Sequence, residues 1–430
     1  MMKMLDVGSL AAMHPSPTVK IVDTRPMSGF NGWRLDGEKK GGHIPGAIPF
    51  PDSWASAMFD TDLVQRLAFN GLTPDKSIVV YGFGEEDGSP FAHRLAGLGF
   101  SDVSVLAGGL PEWANQPDHD VSRLPRHRQL VHAPWLYGLL AGEDTEDAPD
   151  GNFAVFHVNY GVPEEYAQGH IPGAVHLDTN RLESASDWNR RSPEELEEAL
   201  GKLGIARDTS VILYGRDSAA DPAEQKPGRK AGQIAATRAA AILLYCGVDD
   251  VRLLDGGLNA WMSAGYPIET EIRTRKESTD FGAPIPSRPG FFIDFEEAVE
   301  LLADPDGVLV SIRSRPENRG ETSGYNYIEE VGDIPGAVWR NCGSDAYHMQ
   351  HYRNVDNTMR NFNEVASVWR EVGITPEKKV AFYCGTGWRA SETFFYAYLM
   401  DWPNVSVYDG GWFEWVRRTG PVAQKPTFNQ

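Results

Sequence analysis

The stretch Val380-Ala381-Phe382-Tyr383-Cys384-Gly385-Thr386-Gly387-Trp388-Arg389-Ala390-Ser391 decides how this chain is read. An apolar run ends at Tyr383, two glycines flank Thr386, and an aromatic-rich helical stretch from Glu392 to Leu399 follows. The pattern is that of a strand, a tight loop and a helix, with a cysteine as the first loop residue. Such a loop aims several backbone N–H groups at one point, and the helix adds its positive end, so both favour an anion. A free cysteine is only about 3% thiolate at pH 7, so a nucleophilic one needs surroundings of this kind. Gly385 and Gly387 let the backbone curl around a sulfur atom without Cβ clashes.

Working outward, the frame around this loop recurs. Ile-Pro-Gly-Ala occurs at Ile44–Ala47, Ile171–Ala174 and Ile334–Ala337. Gly-Gly-x-x-x-Trp occurs at Gly108–Trp113, Gly256–Trp261 and Gly410–Trp415. Between the two motifs each copy has a strand ending in tyrosine plus one residue: Tyr81-Gly82, Tyr214-Gly215 and Tyr383-Cys384. The Gly-Gly elements lie 148 and 154 residues apart, which are domain-sized periods rather than solenoid periods. Three tandem domains of like fold are expected, at 1–125, 126–278 and 279–430.

Within the copies, strands are expected at Val19–Val22, Ser77–Tyr81, Val103–Leu106, Ala154–Val158, Ser210–Tyr214, Val251–Leu254, Val308–Ile312 and Val380–Tyr383. Helices are expected at Pro90–Leu98, Ala235–Tyr245 and Asp294–Leu302. Strands alternating with helices argue an α/β class, with mainly parallel sheets covered on both faces. The polar insert Arg216–Lys230 reads as a mobile surface loop, and Gly282–Gly290, with three prolines, as a linker.

The loop resembles the active-site loop of the rhodanese sulfurtransferases, Cys-x-x-Gly-x-Arg after a buried strand; Cys384, Gly387 and Arg389 match it. The whole chain resembles a three-domain rhodanese in which only the last domain carries the cysteine. The resemblance implies three small doubly wound α/β domains and a two-step transfer. Cys384 would attack the outer sulfur of a small anionic donor such as thiosulfate, sulfite would leave, and an acceptor thiol or cyanide would take the sulfur from the Cys384 persulfide. Gly385, Thr386, Gly387, Trp388 and Arg389 would bind the substrate. Arg389 is either a fixed positive charge or a structural ion pair, and Trp388 either a pocket wall or packing under the loop. Arg313 and Arg319, in Ser311-Ile312-Arg313 and Arg319-Gly320-Glu321-Thr322, match arginines that the family places near the donor. The third copy departs from the family at Ser311, where an aspartate is usual, and at Asp333, where copies one and two keep His43 and His170.

Gly82 and Gly215 stand where the third copy has Cys384, so copies one and two are expected to be scaffold or docking domains. Copy one also carries Glu85-Glu86-Asp87, which would repel an anionic donor. Two other readings share the same cysteine. A 3-mercaptopyruvate sulfurtransferase fits the Cys-Gly-Thr-Gly start of the loop, and a persulfide carrier loaded by a cysteine desulfurase fits the docking copies. A cysteine phosphatase or arsenate reductase fits poorly, because Arg389 follows Cys384 by five positions and those loops use six.

Composition bounds the partners. With 40 basic and 60 acidic residues the net charge is −20, which argues against nucleic acid or an anionic membrane as a partner. Cys246, Cys342 and Cys384 are the only cysteines, an odd count that does not suggest a disulfide framework and fits a reducing compartment. Cys246 is expected to be a buried, inert thiol and Cys342 a bystander. No apolar signal segment or 18-residue apolar run is seen, so a cytoplasmic protein is expected, or a periplasmic one if a leader has been removed. No metal cluster or cofactor motif stands out. Gly84-x-x-x-Gly88 lacks the lysine of a phosphate loop.

Overall fold

The computed structural model describes residues 2–14, 16–216 and 232–420. The insert read as a mobile loop falls almost wholly in 217–231, outside the described residues. Three five-stranded parallel sheets are present, each with the same strand order, 1-5-4-2-3 counted within its copy. The first runs Lys3–Leu5, Val103–Leu106, Ser77–Tyr81, Val19–Asp23, Ile48–Pro49. The second runs Leu130–Val131, Val251–Leu254, Ser210–Tyr214, Phe153–Asn159, Val175–Asp178. The third runs Phe292–Ile293, Val405–Tyr408, Lys379–Tyr383, Gly307–Arg313, Val338–Asn341. The strands before the loops are buried along almost their whole length, as strands covered on both faces must be.

The repeated motifs are joined by hydrogen bonds that are the same in all three copies. The tyrosine ending the central strand accepts from the isoleucine N–H of Ile-Pro-Gly-Ala: Ile44 to Tyr81 Oη at 3.1 Å, Ile171 to Tyr214 at 3.0 Å, Ile334 to Tyr383 at 3.2 Å. The residue after the Gly-Gly pair donates to the first loop carbonyl: Leu110 to Gly82 at 3.1 Å, Leu258 to Gly215 and Trp412 to Cys384 at 2.9 Å. The second glycine is needed there. Gly411 has φ +55°, and a Cβ on it would sit 2.7 Å from the Cys384 carbonyl oxygen.

The chain divides into two compact units, Met1–Arg128 and Gln129–Gln430. The first carries one sheet and the second carries two. The two sheets of the second unit are tied together by helices Gln233–Cys246 and Trp388–Leu399, which pack on each other. Every residue of the first helix is buried, and every residue of the second from Arg389 onward. The proline-rich segment read as a linker is fixed to this pair: Arg288 N–H donates to the Tyr245 carbonyl at 3.1 Å and Ser287 N–H to that of Cys246 at 3.2 Å. Cys246 ends the first helix, and burial pushes its thiol up to about 12.

No helix among the described residues is long and apolar enough to cross a membrane. No group of three or more metal-ligating side chains occurs among them either.

Candidate active site

Strand Lys379–Tyr383 delivers Cys384 to the loop, and Gly387, with φ +81°, turns the chain into helix Trp388–Leu399. A tight left-handed turn of this kind needs glycine, and a Cβ there would also meet the Asp409 carbonyl at 2.9 Å. Among the described residues, no acceptor is found for the backbone N–H groups of residues 385–390. These are the donors of the loop and first helical turn, left open to an anion.

The sulfur is covered. Cys384 has 0% exposure. The Tyr325 ring lies against the loop, so close to Gly385 that a Cβ there would be 2.2 Å from it. Tyr325 in turn lies tilted against Tyr327, at 5.3 Å between ring centres, and edge-on to Tyr347, at 6.1 Å. Burial raises the Tyr325 phenol well above its ordinary value; Arg389 opposes this and Cys384 adds to it.

Arg389 is a buried ion pair as well as a site residue. Its Nη1 and Nη2 each donate to one oxygen of Glu317 at 2.8 Å, a bidentate geometry. Nη2 also donates to the Tyr325 hydroxyl at 2.9 Å and Nη1 to Cys342 Sγ at 3.0 Å. Cys342, expected as a bystander, therefore touches the same guanidinium as the site. Burial, partly offset by Arg389, pushes its thiol up to about 11. Arg313 does not reach the loop's open side. It is buried beside Glu317 at 3.3 Å and Asp333 at 3.5 Å, with its guanidinium over the Trp412 ring. Arg319 is half-exposed, 3.8 Å from Glu321, and lines no part of the cleft described below.

The two departures from the family pattern compensate each other. In copy one the strand residue Asp23 accepts from Tyr81 Oη at 2.8 Å, while His43 stacks on Phe30 and bonds its carbonyl at 2.8 Å. In copy three the carboxylate has moved to the turn. Asp333 accepts from the Tyr383 hydroxyl, from Ser311 Oγ at 2.7 Å and from Asn318 Nδ2 at 2.8 Å. The strand tyrosine keeps an acidic acceptor, so the base of the catalytic loop stays anchored.

Above the loop a narrow cleft of about 40 Å³ opens between copies two and three. Thr386, Trp388 and Arg389 form one side. Tyr325, Tyr327 and Tyr347 from copy three and Tyr160 and Trp188 from copy two form the rest, with Ile234 and Ala346. The rings are in a chain: Tyr160 to Trp388 at 6.1 Å, Tyr160 to Trp188 at 5.2 Å, Trp188 to Tyr327 at 5.5 Å. Of the expected residues the cleft gathers Thr386, Trp388 and Arg389; Gly385 and Gly387 do not line it. Trp388 stands in the wall, one of its two expected roles, whereas the tyrosines and Trp188 were not foreseen from the sequence. The only hint was the paired tyrosines of Gly324-Tyr325-Asn326-Tyr327, in an otherwise polar stretch.

The family model described as Rhodanese-like domain matches residues 6–116, 150–264 and 294–418. The chain belongs to the rhodanese family. A relative of this rhodanese, the thiosulfate sulfurtransferase YnjE of Escherichia coli, is 42% identical over 92% of this chain and 86% of that protein. The sulfur carrier protein TtuD of Thermus thermophilus is 31% identical over 60% of this chain and 87% of its own length. Among solved structures, the anaerobic ergothioneine biosynthesis enzyme from Chlorobium limicola, in complex with trimethyl histidine, is 44% identical, with a TM-score of 0.96 and full coverage of both chains. A cysteine persulfide of EanB, in a tetrahedral intermediate state with ergothioneine, superposes with a TM-score of 0.95, is 44% identical, and covers 99% of this chain and 100% of that one. The protein is a rhodanese-type sulfurtransferase.

Proposed function

We propose that Cys384 carries a sulfane sulfur as a persulfide and passes it to a small acceptor bearing a quaternary ammonium group, of the trimethylated-histidine type. The observation that carries this reading is the cleft wall. Five of its aromatic side chains, Tyr160, Trp188, Tyr325, Tyr327 and Trp388, form a continuous chain of rings next to the loop. Aromatic faces attract methylated ammonium groups through the ring quadrupole, by roughly 2 kcal/mol or more where water is excluded. Arg389, the guanidinium on the wall, already has its charge paired with Glu317. The wall therefore offers a cation more than it offers a second anion. The comparison with a structure holding trimethyl histidine, at 44% identity over the full chain, supports the same class.

Thiosulfate is proposed as the donor. Its outer sulfur would bond to the Cys384 sulfur, its S–S bond would break, and sulfite would leave with the bonding pair. The unpartnered amides of residues 385–390 favour the resulting persulfide anion. Transfer then replaces a hydrogen on the acceptor by the outer sulfur and returns Cys384 as a thiol, so atoms balance without an external oxidant. A second reading, thiosulfate sulfur passed to cyanide or a thiol, is favoured by the same amides and by the 42% identity to YnjE. Two other donors, 3-mercaptopyruvate and a desulfurase persulfide, need no different chemistry at Cys384.

Intact mass tests both halves. Incubation with thiosulfate is expected to add one sulfur, roughly 32 Da, in the wild type and none in Cys384→Ser. Adding trimethylated histidine should remove that mass and yield the thiolated product. Discharge by cyanide alone would leave the second reading; loading by a desulfurase but not by thiosulfate would replace the donor.

A further inference from the structure

One buried carboxylate of copy two lies behind the cleft wall, and the sulfur chemistry does not use it. Glu183 follows the short turn Thr179–Arg181 and has 0% exposure. Its Oε2 accepts from Trp388 Nε1 at 3.0 Å and from Arg238 Nε at 2.9 Å. Its Oε1 meets no partner among the described residues. A bare carboxylate oxygen in the interior is costly, and strained ionisable groups of this kind concentrate at functional sites. Trp388 is the cleft wall itself, and Tyr160, also on the wall, has its phenol raised by burial and next by the Glu183 charge.

The surrounding charges are few. Arg238, on helix Gln233–Cys246, lies 2.7 Å from Asp409, which follows strand Val405–Tyr408. Asp409 also pairs with Arg190 at 3.0 Å, and the other arm of Arg190 reaches the exposed Asp294. The buried part of this set holds two guanidiniums and two carboxylates.

We propose that Glu183 is a specificity-determining residue of the acceptor cleft: ionised, it places a negative charge behind Trp388 that favours the quaternary ammonium end of the acceptor, and protonated, it withdraws that charge. The proposal rests on reading the aromatic cleft as the acceptor site. Glu183 does not line the cleft and touches no reacting atom, so it acts through Trp388 and through its charge. Burial, only partly offset by Arg238, pushes its carboxyl up to about 7. The charge therefore turns over in the neutral range. KM for a quaternary ammonium acceptor should fall as pH rises through this region, because deprotonation restores the negative charge behind the Trp388 ring.

The experiment is steady-state transfer to trimethylated histidine and, in parallel, to cyanide, in wild type and Glu183→Gln. The glutamine keeps an amide oxygen for both Trp388 and Arg238, so only the charge is lost. The expected result is a KM for trimethylated histidine raised about tenfold near pH 8, with the fall of KM between pH 7 and 8 abolished, while kcat and cyanide turnover are unchanged. Equal impairment with both acceptors would show a merely structural role and overturn the proposal, as would a wild-type KM flat across this range. A flat wild-type profile overturns the proposal even if the variant does not fold. A wild type that loads sulfur but never transfers it to trimethylated histidine would overturn the cleft reading and this proposal with it. A wild type that uses this acceptor beside an unaltered Glu183→Gln would overturn the proposal alone.

Discussion

Replacing Gly385 by alanine tests how the sulfur is covered. Gly385 is not in the left-handed region, so the backbone itself accepts a side chain. The obstacle is Tyr325. The new methyl would lie 2.2 Å from its Cε2 and 2.6 Å from its hydroxyl oxygen. Ordinary contact begins at 3.4 Å, so the ring must withdraw by about 1.2 Å. It has little freedom to do so, with its hydroxyl held by Arg389 at 2.9 Å and its ring flanked by Tyr327 and Tyr347. Overpacking of this kind costs roughly 1–3 kcal/mol, and a strained charged hydrogen bond adds on the order of 1 kcal/mol. At roughly 2–4 °C per kcal/mol, Tm should fall by several degrees. At the same time Cys384 should lose its cover. Alkylation by iodoacetamide, followed by peptide mass at a temperature well below Tm, should be faster in the variant than in the wild type. An unchanged Tm together with an unchanged alkylation rate would refute the placement of Tyr325 over the loop.

Three further substitutions follow from the same geometry. Burial opposes the Glu317 charge, but Arg389 and then Arg313 outweigh it and hold the carboxyl at about 2, so its stabilisation is present above the ordinary carboxylate range and lost as pH falls toward that value. Glu317→Gln strands two buried guanidiniums, and urea unfolding should show a loss of about 3–5 kcal/mol at pH 7 that shrinks toward pH 3. Burial pushes the Asp255 carboxyl up to about 7, against the 2.7 Å bond from the Met359 N–H, so the stability of the protonated form is lost as pH rises through that value. Asp255→Asn keeps an acceptor for Met359 and should raise Tm at about pH 8 while matching the wild type near pH 4. Arg319 is exposed and weakly paired, so Arg319→Ala should leave stability within about 0.5 kcal/mol and persulfide loading unaltered.

Local patterns carried much of this protein into view. The Ile-Pro-Gly-Ala and Gly-Gly-x-x-x-Trp motifs are visible in the sequence because each makes a short, fixed contact with the central loop, through Tyr383 and the Cys384 carbonyl in copy three. The strand ending at Tyr383 and the turn at Gly387 read directly from residue type. What a sequence does not state is the partner. Arg389, Arg313 and Arg319 look alike as cations, yet the first two are neutralised by Glu317 and Asp333 and the third faces solvent. Ser311 and Asp333 looked like two separate losses and form one substituted hydrogen bond across 22 residues. Tyr160, Trp188 and Glu183 are brought to Trp388 across some two hundred residues, a pairing without sequence periodicity. The edge strands Lys3–Leu5, Leu130–Val131 and Phe292–Ile293 were missed because two or three residues carry no alternation.

The two buried helices that join copies two and three have a consequence for how the protein could be divided. Helix Gln233–Cys246 is apolar nearly all round, and helix Trp388–Leu399 turns its phenylalanines and tyrosines inward on every side. Cutting the chain at residue 279 would bare both surfaces to water, and the sulfur-bearing fragment would precipitate rather than work alone. Copy two gave up its nucleophile without becoming dispensable: what ties it to its neighbour is insolubility on separation, a bond that no loss of chemistry can loosen.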